Sequence, residues 1–241
     1  MTSHSYRNHI LAMLPADVLT AWQAELETMA LRQGQVLYEP GQTLSHLYFP
    51  TSAIVSWVYV LENGASTEVA MTGKESVIGM YLLMGGGKSL NHALVQTAGQ
   101  ALRIPVARVL ASFQQDHGQE VQAVFWLFTR ALITQMAHVA VCHRHHSLEQ
   151  QLSRMLLMTL DRSEGNTIGL THDMLARFLG VRREGVTVAA QKLMHDGIIH
   201  YARGHITVQD RAALEERSCE CYGVIRQEYA RLLPRPPACL G

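Results

Sequence analysis

The chain has almost no lysine: Lys74, Lys88 and Lys192 are its three, and arginine supplies the other seventeen of twenty cations. Arginine's planar fork suits phosphates and guanine edges, although a GC-rich coding sequence gives the same bias. Net charge is missing too, because 20 Lys+Arg balance 20 Asp+Glu. Whole-chain electrostatics therefore give no argument for nucleic acid, a membrane surface or an acidic substrate, and any such partner must be argued from a local patch. No cysteine precedes Cys142, and Cys142, Cys219, Cys221 and Cys239 lack the spacing of a secreted disulfide framework. The polar start, Met1 to Arg7, has no signal-peptide pattern, and no run approaches the ~18 apolar residues of a membrane span. A cytoplasmic chain with no membrane partner is the expectation. Charge of any sign is sparse, 17% against 48% hydrophobic residues, which excludes a disordered chain. No Walker loop, dinucleotide fingerprint, nucleophile–base arrangement or H-x-H strand pair is present, so no enzymatic activity is expected.

What is present changes character along the chain. Ala16 to Leu31 has a helical period, with Pro15 placed at its start. Short β-rich runs follow: Val36 to Tyr38, His46 to Phe49, Ile54 to Leu61, Ser66 to Met71, Ala93 to Gln96 and Ala101 to Ile104. Asn63-Gly64 marks a hairpin between two of them, since both residues tolerate positive φ. This spacing of strands suggests a small sandwich or roll. From Gln119 the period lengthens. Val121, Phe125, Phe128, Leu132, Gln135, Val139 and Cys142 recur at alternating spacings of four and three, the seam of a coiled coil, with Gln135 at a register-setting place. The seam predicts a dimerisation helix; an amphipathic helix packed on its own sheet is the alternative. The segment His143 to His146 breaks the pattern, and Ser147 caps a new helix over Leu148 to Leu160. Asp161 to Gly169 reads as a polar loop.

The most specific stretch is His172 to Gln191. Numbered from His172, the positions that lock two helices together are Leu175, Leu179, Val181, Val186 and Ala189, and all are apolar. Ala176 stands where the helices cross, and Gly180 where the turn between them favours positive φ. The remaining face, Arg182, Arg183, Glu184, Thr187 and Gln191, suits the major groove, where arginine reads guanine, glutamate cytosine and glutamine adenine. Arg183 and Glu184 are expected on bases, Arg182 and Thr187 on the backbone or both, with Thr171 as the N-cap. Gly197 to Val208 reads as a two-stranded wing turning at Arg203-Gly204, its arginine within reach of phosphates. Thr171 to Ile206 holds five Lys/Arg against three Asp/Glu, a small excess in the right place.

With these parts in place the chain resembles the Crp/Fnr family of bacterial transcription regulators, over nearly its whole length. The resemblance is most specific from Leu170 to Gln191, where Arg183-Glu184 match the family's Arg-Glu pair. It implies an α+β chain: a β-roll of the cyclic-nucleotide-binding, jelly-roll type (1–118), a dimerisation helix and hinge (119–146), and a winged helix-turn-helix (147–241). It also implies a homodimer that reads pseudo-palindromic double-stranded DNA and works with RNA polymerase. Two departures matter. One turn beyond Arg183-Glu184, where the cyclic-AMP receptor branch has a further Arg, Val188 stands. The family's phosphate-binding cassette falls in Gly73 to Ala93, but Gly79-Met80 and Asn91-His92 replace its Gly-Glu and Arg-Ser pairs. No arginine lies there to pair a buried phosphate, so cyclic AMP in the usual mode is not expected. Nor is the family's N-terminal iron–sulfur cluster, which needs cysteines this chain lacks.

A signal other than cyclic AMP, or constitutive binding, remains. The alternative is a haem or metal sensor. Met80 to Met84 with Trp57, Phe125 and Trp126 would line a haem cavity, and His92 or His46 would supply the axial nitrogen. On a continuous helix His138, Cys142 and His146 share a face at a spacing that suits a soft or borderline metal, zinc or another. A solvated basic hinge is the plainer reading, and no metal site is assigned. Cys219-Glu220-Cys221 lacks the C-x-x-C spacing and receives no role.

Overall fold

The computed structural model describes residues 7–234. They form two compact units: one from residues 7–55, 72–133 and 228–234, the other from 56–71 and 134–227.

The first unit opens with α1 (His9–Ala12) and α2 (Ala16–Gln23). The Asn8 side chain caps α1 and donates to the Pro50 and Ser76 carbonyls, both at 2.9 Å, which fastens the segment to the roll. The helix expected to reach Leu31 stops at Gln23, because Glu27–Leu31 is strand β1, paired antiparallel with Gly99–Arg103. Cross-strand pairing overrides a helical period that Thr28 only weakly supports. Next along the chain come β2 (Val36–Tyr38), β3 (His46–Pro50), β4 (Ile54–Val60), β5 (Ser66–Thr72), a 3-10 helix (Met80–Met84), β6 (His92–Thr97) and β7 (Gly99–Pro105), of which the β4–β5 hairpin from residue 56 to 71 belongs to the second unit. One sheet is ordered β1–β7–β3, the other β2–β6–β4–β5, so the six expected strands are all present. Asn63-Gly64 turns the β4–β5 hairpin, with Gly64 at φ +82°. Leu31, Tyr38, Val55, Ile78, Ala93 and Val95 form the roll's buried interior.

After α3 (Val106–Ser112), α4 (Gly118–His145) runs 28 residues, through the segment expected to break it. Its length and composition alone would let it cross a membrane. In the fold, however, every residue of the expected dimer seam is buried within a single chain: Val121, Phe125, Phe128, Leu132, Gln135, Val139 and Cys142. A buried side chain has no area to offer a second copy, so this seam is the helix's own core face. Gln135 sets no interchain register; its Nε2 donates to the Met71 carbonyl at 3.1 Å. The open face is a parallel 3-4 repeat through Ala123, Trp126, Arg130, Ile133, Ala137, Ala140 and Arg144.

The second unit continues with α5 (Leu148–Arg162), where Ser147 and Gln150 complete a reciprocal capping box. Strand β8 (Thr167–Ile168) lies in the expected loop and pairs with Ile206 and Thr207. Then come α6 (His172–Leu179), α7 (Arg183–His195), β9 (Ile199–Ala202), β10 (His205–Val208), α8 (Arg211–Arg217) and α9 (Glu220–Leu232). The unit buries three charges, Glu68, Arg154 and Arg162.

Candidate nucleic-acid interface

Two short helices and a hairpin assemble one exposed surface in the second unit. Thr171 caps α6 by accepting from the Met174 amide at 3.2 Å. The helix ends at Gly180, whose φ of +66° is a left-handed conformation that glycine adopts without strain. Leu175, Ala176 and Leu179 from α6 are buried with Val186, Ala189 and Leu193 from α7, so the two helices lock as their spacing requires. Val181 is the exception: it lies in the turn, 36% exposed.

The turn is also pressed from outside. A Cβ on Gly180 would stand 2.6 Å from Thr67 Oγ1, and Ser66 Oγ donates to the Arg177 carbonyl at 3.3 Å, so the tip of the β4–β5 hairpin closes on it. Gly180→Ala should therefore lower stability by about 1–3 kcal/mol through backbone strain, with the contact adding to it. A urea titration reads this, and an unchanged midpoint would remove the turn's special status.

Arg182 is the N-cap of α7 and makes no side-chain cap bond, which leaves amide groups at the helix start for an anion. Arg182, Arg183, Glu184, Val188 and Gln191 are exposed together. Arg183 Nε lies 3.5 Å from Asp173 Oδ1, a solvent-exposed pair that holds the fork weakly. Thr187 is more committed: its hydroxyl donates to the Arg183 carbonyl at 3.1 Å and lies 3.1 Å from His172 Nδ1. The His172 ring stacks on Tyr201 at 4.3 Å, tying α6 to the wing. Burial, and then the nearby Arg183 charge, lower the His172 pKa.

The wing is the sheet β8–β10–β9. Its turn has two consecutive positive φ angles, +49° at Arg203 and +79° at Gly204, the type I′ geometry that matches the twist of a hairpin. Arg203 is exposed at the tip, and Thr171 lies beside the same turn, its methyl 3.5 Å from where Gly204 would carry a Cβ. The structure thus gathers Thr171, Arg182, Arg183, Glu184, Thr187, Gln191 and Arg203 in one helix-turn-helix and wing. Thr171 and Thr187 have their hydroxyls engaged in structure, and Val188 joins the exposed set.

The roll's side chains stand otherwise. Gly79 and Gly85, both left-handed, bracket the 3-10 helix, and Ser89 and Asn91 hydrogen bond to local carbonyls. Tyr38 meets Tyr81 edge-on at 6.0 Å, and Tyr81 and Tyr48 pack on the apolar interior. Of the residues that would line a haem cavity, Trp126 and Met84 face solvent, and Phe125 is packed in the α4 core against Phe113. His46 Nδ1 is held by the Ser45 hydroxyl at 2.8 Å. Sequence reasoning left Cys219 and Cys221 without a role; the fold sets them beside Cys142 and His146. No local spacing could have shown it, because 77 residues separate Cys142 from Cys219.

Comparison with known proteins matches both units' chief parts. Residues 28–116 fit the family model of a cyclic nucleotide-binding domain, and residues 150–217 that of a Crp-like helix-turn-helix domain. The global nitrogen regulators of Nostoc sp. and Synechocystis sp. are each 25% identical over 193 residues, covering 77% of this chain and 86% and 85% of theirs. Among solved structures, the c-di-GMP responsive global regulator CLP of Xanthomonas campestris shares the fold with a TM-score of 0.66 at 16% identity, over 80% of this chain and 99% of its own. A Crp/Fnr-family regulator from Eubacterium rectale does so with a TM-score of 0.67 at 16% identity, over 85% and 94%.

Proposed function

Because the chain belongs to the Crp/Fnr family of transcription regulators, with its cyclic-nucleotide-binding-type roll and Crp-like helix-turn-helix, we propose that it acts as a homodimer reading a pseudo-palindromic promoter site in the cytoplasm. The observation that carries this is the α7 N-terminus, where Arg182, Arg183 and Glu184 project beside uncapped amides. The N-terminal end of such a helix enters the major groove first. Arg183 then reads guanine and Glu184 cytosine, while Arg203 clasps the phosphates flanking the wing. Val188, exposed between Glu184 and Gln191, offers an apolar contact for a thymine methyl. The second subunit meets the first along the open face of α4, and its reading helix lies about one turn of DNA away.

The regulator responds to a signal other than cyclic AMP, or binds DNA without one, and its output passes through RNA polymerase. In support, the cassette segment Gly73 to Ala93 has no arginine, and tyrosines pack into the roll.

Selection from random duplexes should return an inverted repeat. Arg183→Ala should cost about 1–3 kcal/mol on that site and relax one position, whereas Arg203→Ala should weaken all duplexes alike and flatten the salt dependence by about one ion. If Arg183→Ala lost the same affinity on random DNA as on the selected site, its role in base reading would be refuted.

A further inference from the structure

Two distant pieces of the second unit bring four soft donors to one point. Cys142 and His146 stand one turn apart at the end of α4, where the His146 amide still bonds to the Cys142 carbonyl at 3.1 Å. Cys219 directly precedes α9, and Cys221 is in its first turn. The sulfurs of Cys142, Cys219 and Cys221 and one ring nitrogen of His146 all lie within 4.8 Å of one another. Cys142 Sγ is 3.5 Å from Cys219 Sγ, and Cys221 Sγ is 3.8 Å from His146 Nδ1. Four ligands on a tetrahedral ion with metal–sulfur bonds of about 2.3 Å have sulfur–sulfur edges of about 3.8 Å. The donors therefore stand near the corners of such a tetrahedron.

Two further observations point to a cation among them. The outer nitrogen of His146, Nε2, faces Glu220 Oε2 at 3.2 Å. That carboxylate orients the ring with Nδ1 turned to the sulfurs, the support that metal-binding histidines receive from a neighbouring acid. Then there is Arg154, 1% exposed, whose Nε donates to Cys142 Sγ at 3.3 Å and whose Nη1 donates to Met158 Sδ at 3.2 Å. A guanidinium cannot shed its charge; Glu68, whose carboxyl also feels Arg154, is held toward its neutral form by burial, and neutral thiols and thioethers are weak acceptors for a buried cation. Three thiolates around a divalent ion carry net charge −1, which Arg154 offsets.

We propose that Cys142, Cys219, Cys221 and Nδ1 of His146 bind one Zn²⁺ ion per chain. Three sulfurs and one imidazole, largely buried and closed by four protein ligands, are the donor set of a structural zinc site, with no position open for a substrate. The ion clips the start of α9 to the end of α4 and so sets where the helix-turn-helix scaffold meets the helix that carries dimerisation. His138, on the same helix, takes no part.

Full-length protein, purified without chelator or affinity metal, should contain one zinc per chain by elemental analysis. X-ray absorption should show about three sulfurs and one nitrogen at about 2.3 and 2.0 Å. Cys142→Ser, Cys219→Ser and Cys221→Ser should each lose the stoichiometric zinc, and His138→Ala should keep it. Glu220→Gln should keep one zinc but release it to a chromogenic chelator at about 10- to 100-fold lower competitor strength, a readout that loss of folding does not imitate. Zinc-free protein with all four thiols reactive, a Cys142–Cys219 disulfide, or iron with acid-labile sulfide would each overturn the proposal.

Discussion

Replacing Trp126 and Ile133 together by glutamate is expected to leave a folded monomer that binds a two-half-site operator about 10²- to 10⁴-fold more weakly, the loss incurred when the second half-site is no longer engaged intramolecularly. The two side chains are 51% and 61% exposed and stand one heptad apart on the open face of α4. The alanines at 123, 137 and 140 on the same face let a second helix approach closely, and buried charge against that partner is costly. The inward face supplies the contrast. Phe128 is fully buried, so Phe128→Ala should lower stability by about 3–5 kcal/mol while leaving the dimer surface intact. Sedimentation and urea unfolding separate the two outcomes: one variant changes mass with little change in midpoint, the other the reverse. A Trp126/Ile133 double variant that still sediments as a dimer would place the interface elsewhere.

Glu68→Gln is expected to stabilise the protein at pH 8 by about 3 kcal/mol, with the gap closing toward pH 5. Glu68 is 3% exposed, with Oε2 lacking a hydrogen-bond partner among the described residues. Burial raises its pKa from 4.5 to about 7, opposed by a hydrogen bond from Ser56 and the charges of Arg154 and Arg162. The folded chain therefore holds this proton to higher pH than the unfolded chain does. Stability is lost as pH rises from about 4.5 to about 7 and is flat above, so a neutral amide gains most where the parent carboxylate is ionised. Equal unfolding free energies for parent and variant at pH 8 would show that the two arginines already match the buried charge in full.

How much of this was legible follows from how local each signal is. The turn at Gly180, the cap at Ser147 and the wing at Arg203-Gly204 depend on residues within a few positions, and all three were readable. Strand β1 was not, because Glu27 to Leu31 alternates poorly and becomes a strand only against β7, some seventy residues on. Nor was the outward side of α4. Val121, Phe125 and Phe128 point inward while Trp126, Ile133 and Val141 point outward, so two apolar 3-4 repeats are interleaved and periodicity alone cannot rank them. The exposed face of α7 was readable as one segment, because a single helix of continuous sequence presents Arg182, Arg183, Glu184 and Gln191 together. The sulfur cluster had no such continuity, and only tertiary structure unites its two halves.

The chain passes between its two compact units four times, at 55/56, 71/72, 133/134 and 227/228. A protease that nicked one loop would leave the halves still joined by covalent threads. A fragment begun at Ser147 would carry the winged head without residues 56–71, without Gln135 and without Cys142. Gly180 would then lose Thr67 as its neighbour, and Arg154 would be left with neither Glu68 nor the Cys142 sulfur near its charge. The head is thus no transplantable cassette: chimeras that graft it onto another sensor need to bring the hairpin and the second half of α4 with it.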